Sequence, residues 1–392
     1  MNDSRGADGP LGTKPSRERP LVLGIVVAIV LLVAFPVVDW RISIWPDAGG
    51  YYAVWNEDRS RFFISATNGI VVVNENRHQL AVEATIFHGL GRGPMGYDRG
   101  WLFYVAENAA DSANLLAMNV SDLSRIDSRG PVYLGAAAGA GIWVRSILAE
   151  DGITLFAGEY VEPRSGGVVL ALDLSDPSSI SNESSLRVAY KLEFGSLVTD
   201  VMIRGSVLYV LELDGLLHSF DRLVTPPTIL SEVALPGTLV DMDMLGPLLA
   251  LVDAGTNRSV RFYDHSTLMP VLISEVSLPG RPLMVTLDQT RASVSWRPDN
   301  FVQHAVTIYD VSRAGSPKTL VSLPLDDFGD GHIEDDGVVY ALGHHEVASL
   351  GEQIIPFFAS PLGLPSSAFA ISLASGYLLF RRVRTLRSSD VP

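Results

Sequence analysis

The stretch Ala305–Asp326, AVTIYDVSRAGSPKTLVSLPLD, decides how the rest of the chain is read. Val306 and Ile308 alternate with Thr307 and Tyr309, the two-residue period of a strand with two different faces. Asp310 ends that run. Gly315, Ser316 and Pro317 then break regular structure before a second apolar run, Thr319–Leu325. The unit is two strands and a turn.

It recurs. An apolar strand ending in Asn or Asp appears as IVVVN (Ile70–Asn74), LLAMN (Leu115–Asn119), VLALD (Val169–Asp173), LHSFD (Leu217–Asp221), VRFYD (Val260–Asp264) and VTIYD (Val306–Asp310). Successive terminal residues are 45, 54, 48, 43 and 46 positions apart. A further copy, EVASLG (Glu346–Gly351), keeps the position and loses the acid. TILSEVALPG (Thr228–Gly237) and VLISEVSLPG (Val271–Gly280) are near duplicates, each following one of these strands. A period in the forties with about four short strands per repeat predicts a β-propeller. Helical solenoids share the period but need a helical pattern that is absent here.

The expected fold is all-β: a seven-bladed β-propeller over residues 50–360, each repeat supplying all four strands of one blade. Inner strands should begin near Tyr51, Met95, Trp143, Thr199, Val240, Met284 and His332. The terminal Asp/Asn should bond the backbone N–H two residues on. One acid per repeat cannot assemble the six or more oxygens of a calcium site.

The tails after these acids, Asn119-Val120-Ser121-Asp122, Asp173-Leu174-Ser175-Asp176-Pro177 and Asp310-Val311-Ser312, resemble the LVIVD-repeat propellers. That resemblance implies a propeller, often on exported or surface proteins, and implies no shared catalytic residues.

Two apolar segments flank the repeats. Residues 1–20 are polar and read as a disordered cytoplasmic tail, and Leu21–Val38 holds no charge over eighteen positions, nearly enough helix to span a bilayer core. A cleavable signal peptide is the rival. Residues 39–49 read as a linker. Residues 361–380 are also uncharged, and Arg381, Arg382, Arg384 and Arg387 follow in a basic tail, 381–392. A second membrane helix over Leu362–Phe380 is expected, with a sorting signal or a packed soluble helix as alternatives. Basic residues beside both segments place both tails in the cytoplasm and the propeller on the extracytoplasmic side of the cytoplasmic membrane. The helices, with small residues at Gly24 and Ala28 and at Ala368, Ser372 and Gly376, are expected to pair and clamp the ring shut without strand exchange.

Net charge is −15, and with +1 in the first twenty residues and +3 in the last twelve the body carries −19. An acidic body excludes phosphate-backbone binding of nucleic acid. With no cysteine, disulfides, zinc–thiolate sites and thiol catalysis are excluded. No HExxH, phosphate loop or nucleophile elbow occurs. Asp326, Asp327, Asp330, Glu334, Asp335 and Asp336 form the densest acidic run; Asp326, Asp327 and Asp330 with His332 are its metal candidates, but the run lacks ordered ligand spacing, so no metal and no cofactor is expected. Asp200, Asp241 and Asp243 fall near inner-strand positions and are the catalytic candidates if the protein is an exported hydrolase or lyase working in the channel. The favoured reading is a membrane-anchored interaction module, not an enzyme, binding a protein or envelope partner on its membrane-distal face and the lipid bilayer through its helices. Converging channel acids with shifted pKa values would favour the enzyme; an exposed apolar patch would favour the binder.

Overall fold

The computed structural model describes residues 40–43 and 52–350, except 67–68, 77–78, 89–92, 109–111, 162–163, 300–303, 326–330, 336–337 and 343–345. Both apolar segments, 21–38 and 362–380, lie outside these residues.

Alternating and apolar runs bounded by Gly, Pro, Asp and Ser fold into four-stranded antiparallel sheets. Six sheets are built from four consecutive strands each. Their inner strands are Ala53–Trp55, Met95–Asp98, Ile142–Glu150, Val198–Arg204, Leu239–Leu245 and Arg281–Asp288. These sheets are blades 1 to 6 below. The remaining sheet is composite: Gly331–Asp335, Val338–Leu342 and Glu346–Leu350 are completed by Trp40–Ser43 from the other end of the chain. Neighbouring inner strands touch in chain order, and that of the composite sheet returns to blade 1.

This corrects the sequence expectation in two respects. The seven blades expected from seven repeats become six: the last repeat does not supply its own fourth strand, so only six blades are self-contained. Strand exchange closes the ring, with Trp40 opposite Ser349 and Ser43 opposite Glu346, where a helix pair had been expected and residues 39–49 had been read as linker. The physical reason is the unpaired backbone edge of Glu346–Leu350, which a returning strand satisfies. Second, among the described residues no helix is long and apolar enough to cross a membrane. The one α-helix among the described residues, Leu134–Ala138, has five residues. The expected flanking membrane helices fall outside the described residues, and no described residue supports them.

The cores lie between neighbouring sheets. Phe103, Phe156 and Leu170 fill the space between blades 2 and 3, and Phe262, Val285 and Tyr309 that between blades 5 and 6. Trp55, Phe62 and Tyr340 pack edge-on and tilted between the composite sheet and blade 1. A blade's two faces are both buried this way, which is why its second and third strands read as continuous apolar runs.

The recurring Asp/Asn closes a turn in five blades. Its Oδ1 accepts the backbone N–H two residues on: Ser121 to Asn119 (3.2 Å), Ser175 to Asp173 (3.1 Å), Leu223 to Asp221 (3.0 Å), Ser266 to Asp264 (2.9 Å) and Ser312 to Asp310 (2.9 Å).

Candidate functional site

Inner strands bulge at one level of the ring. The register shifts between Val144 and Ser146, Val198 and Asp200, Leu239 and Asp241, and Pro282 and Met284. A bulge re-aims the side chain that follows it, and here it turns Ser146, Asp200 and Asp241 toward the next blade. Ser146 donates its hydroxyl to Asp200 Oδ1 at 2.9 Å, and Met242 of blade 5 donates its N–H to Asp200 Oδ2 at 3.3 Å. Asp241 Oδ2 accepts from Val285 N of blade 6 at 2.7 Å, and Asp243 Oδ2 from Leu287 N at 2.6 Å.

The sequence candidates Asp200, Asp241 and Asp243 are thus brought together. By surface area they are half-buried, yet their carboxyl groups sit deep within the ring. Burial pushes Asp200 up to about 6 against the hydrogen bonds from Ser146, Val201 and Met242. Burial and then the charge of Asp200 hold Asp241 well above the usual carboxylate range, and the two share a hydrogen bond. Burial also raises Asp243. A raised carboxyl can serve as a general acid. These carboxyls, however, are engaged by the backbone of the neighbouring blade and by each other. The arrangement is a set of cross-blade clasps.

A second polar group lies between blade 6 and the composite sheet. Thr286 Oγ1 meets His332 Nε2 at 2.8 Å and Glu334 Oε2 at 3.0 Å, and the Glu334 carbonyl accepts from Trp55 Nε1 at 3.1 Å. Burial raises Glu334 to about 7 and lowers His332 to about 3, the latter with help from His304. Of the metal candidates, His332 is buried and bonded to Thr286, while Asp326, Asp327 and Asp330 lie outside the described residues. Among the described residues no group of three or more His, Asp or Glu could hold a metal ion.

The surface holds what the sequence reading missed. Every self-contained blade has a register shift in its outer strand. In blades 4, 5 and 6 the extra residue is Leu230, Ile273 and Leu320, and all three are exposed. Ile229 and Leu272 beside them are more than half or half exposed, at 56% and 50%, and Val271 is 64% exposed. Each rim adjoins the next: Ser231 Oγ donates to Leu268 O of blade 5, and Ser274 Oγ to Ala314 O of blade 6. The result is an aliphatic band across three blades, of the kind that marks interaction surfaces. The signal was in the duplicates. Ile229-Leu230 and Val271-Leu272-Ile273 are consecutive apolar residues, which a strand covered on one face does not need.

No family model and no curated protein matches the sequence. Solved structures do match. A chain of a mitotic checkpoint complex superimposes with a TM-score of 0.54 at 13% identity, covering 89% of this chain and 99% of that one. Sqt1 of Saccharomyces cerevisiae superimposes with a TM-score of 0.55 at 9% identity, covering 80% and 98%. BamB from Moraxella catarrhalis gives 0.48 at 11% identity, covering 78% and 83%. At these identities the first two likenesses show the β-propeller fold alone.

Proposed function

We propose that the protein is a protein-binding module whose contact surface is the aliphatic rim of blades 4 to 6. One observation carries the reading: Leu230, Ile273 and Leu320 occupy the same bulge in three successive blades and are exposed in each. Isolated surface leucines need no explanation, but a set repeated at the same position of three neighbouring blades does. The channel acids give the enzyme alternative little support, because their oxygens already hold the ring together. Two of the fold neighbours are a chain of a checkpoint complex and Sqt1, and neither transfers a partner to this chain.

The test is a comparison of co-purified proteins. The full chain should retain partners that the triple variant Leu230→Ser, Ile273→Ser, Leu320→Ser loses, while a control at exposed Phe87 on blade 1, Phe87→Ser, retains them. Identical sets from both variants would reject the rim as the contact surface.

A further inference from the structure

The residue after each recurring Asp/Asn occupies one position of the fold in all six self-contained blades. Its backbone N–H donates to the turn that joins the inner and second strands: Glu75 to Ser60 O, Val120 to Gly100 O, Leu174 to Gly152 O, Arg222 to Ser206 O, His265 to Pro247 O and Val311 to Thr290 O. In blades 2, 3 and 6 the side chain is an aliphatic plug. Val120, Leu174 and Val311 are buried, each in the core shared with the preceding blade. Blade 1 holds the half-buried Glu75 there, and blade 4 the half-buried Arg222, tied to Glu150 of blade 3 at 3.1 Å.

Blade 5 puts an imidazole in the aliphatic slot. His265 is 8% exposed, and its ring packs edge-on against Tyr209 of blade 4 with centroids 5.3 Å apart. Among the described residues neither ring nitrogen has a hydrogen-bond partner. Buried His218, by contrast, is held by Glu212 at 2.6 Å. An imidazolium carries two N–H donors and a charge, and burying it unpaired is costly. Burial accordingly lowers the pKa of His265, against the charge of Asp264. Asp264 is exposed, and its Oδ1 is taken by Ser266 N. Of the other ionisable groups at this junction, burial pushes Tyr209 and Tyr263 up, so both stay neutral, and Arg204 pairs with Asp243 at 3.5 Å.

His265 also roots a turn. Residues 266–270 lead from it to the outer strand, and Leu268 O accepts from Ser231 Oγ of blade 4 at 3.4 Å. The ring and this bond fasten the same turn to blade 4.

We infer that His265 is an acid-released plug: on taking a proton its ring leaves the slot beside Tyr209, and residues 266–270 swing away from blade 4. The plug acts whether or not the rim binds a partner. A free imidazole takes a proton below about 6.5 and the seated ring resists it, so opening is favoured as pH falls through that window. The aliphatic plugs of blades 2, 3 and 6 have no proton to take, so the junction of blades 4 and 5 should open selectively.

Hydrogen exchange of the full chain at pH 7.5 and pH 5, corrected for intrinsic rates, tests this segment by segment. Protection of residues 207–212 and 259–270 should fall at pH 5, by at most about thirtyfold, a limit set by the free imidazole. Residues 153–160 and 167–173 of blade 3 should lose much less. His265→Leu, which copies Leu174, should abolish the local loss, and matching melting temperatures at pH 7.5 confirm that it folds. His265→Gln, neutral at both pH values, takes its place if it does not. An equal loss in the variant, or none in the unaltered protein, would overturn the proposal. So would a loss spread evenly over the blades, because acid would then be unfolding the ring as a whole.

Discussion

At the residue scale, the buried acids make folding depend on pH in a direction opposite to ordinary salt-bridged carboxylates. Asp200 titrates near 6 in the fold, above the usual 3.8, so the folded chain holds a proton that the unfolded chain has released. Its contribution is fully present below about 4 and is lost as pH rises through 6. Asp200→Asn removes the charge and keeps an oxygen for Ser146 and Val201, giving up the long 3.3 Å bond from Met242 N–H to Oδ2. It should stabilise the protein at pH 8 by on the order of 1–2 kcal/mol and leave stability at pH 4 nearly unchanged. Urea titrations at the two pH values measure this, and equal shifts at both would contradict it. His332 works the other way. Held neutral down to about 3, it makes the unfolded chain the better proton acceptor below 6.5, so stability falls as pH drops through that window. His332→Gln should relieve about 2 kcal/mol of that loss at pH 5, seen as a flatter acid limb. The turn acids act through geometry. Asp173→Ala should cost about 1 kcal/mol while Asp173→Asn costs a few tenths, because Asn keeps the oxygen that Ser175 N–H needs.

At the element scale, strands differ in how openly the sequence announces them. The third strands were legible at their ends: in blades 2 to 6 they close on the expected Asn or Asp, as VTIYD closes His304–Asp310, and the run after it lies in Lys318–Leu325. Both faces of such a strand are buried, and its terminal acid makes a turn, so two independent signals coincide. Inner strands begin at Met95, Ile142, Val198 and Leu239, within one residue of expectation, because turn residues bound them. The bulges were not legible. One extra residue changes neither composition nor period enough to see, yet it decides that Asp200 and Asp241 point across blades and that Leu230 and Ile273 point outward. The apolar residues of the outer strands were therefore assigned no surface role. Core and rim should separate cleanly under mutation. Phe262, buried between blades 5 and 6, should cost about 3–5 kcal/mol as Phe262→Ala. Ile273→Ser, exposed, should change stability by no more than about 0.5 kcal/mol. A large loss in the second variant would mean that the rim is a structural face and not a contact surface.

At the scale of the whole molecule, everything depends on how the ring is closed. The closing strand, Trp40–Ser43, has four residues and no repeat signature, which is why it was read as linker. Its pairing joins positions about 300 residues apart, so closure carries a large loop entropy and forms only when the rest of the ring holds both edges near each other. A cross-link can supply that constraint in advance, and the absence of native cysteine gives a clean background. Ile42 faces Val347, and Arg41 faces Ala348. Neighbouring antiparallel pairs alternate between hydrogen-bonded and non-hydrogen-bonded, so one of these two has the shorter Cα separation that suits a disulfide. We expect Ile42→Cys/Val347→Cys or Arg41→Cys/Ala348→Cys to oxidise readily in the folded protein, and Ile42→Cys/Ala348→Cys, out of register, to do so poorly. Chain entropy sets the gain at about 5 kcal/mol at most, and native strain will reduce it. Thiol counting with and without denaturant, followed by melting under oxidising and reducing conditions, reads both steps. Free thiols in both in-register pairs would show that Trp40–Ser43 does not complete the composite sheet. Ready oxidation with no rise in melting temperature would show that the strand pairs there but that ring closure does not limit stability.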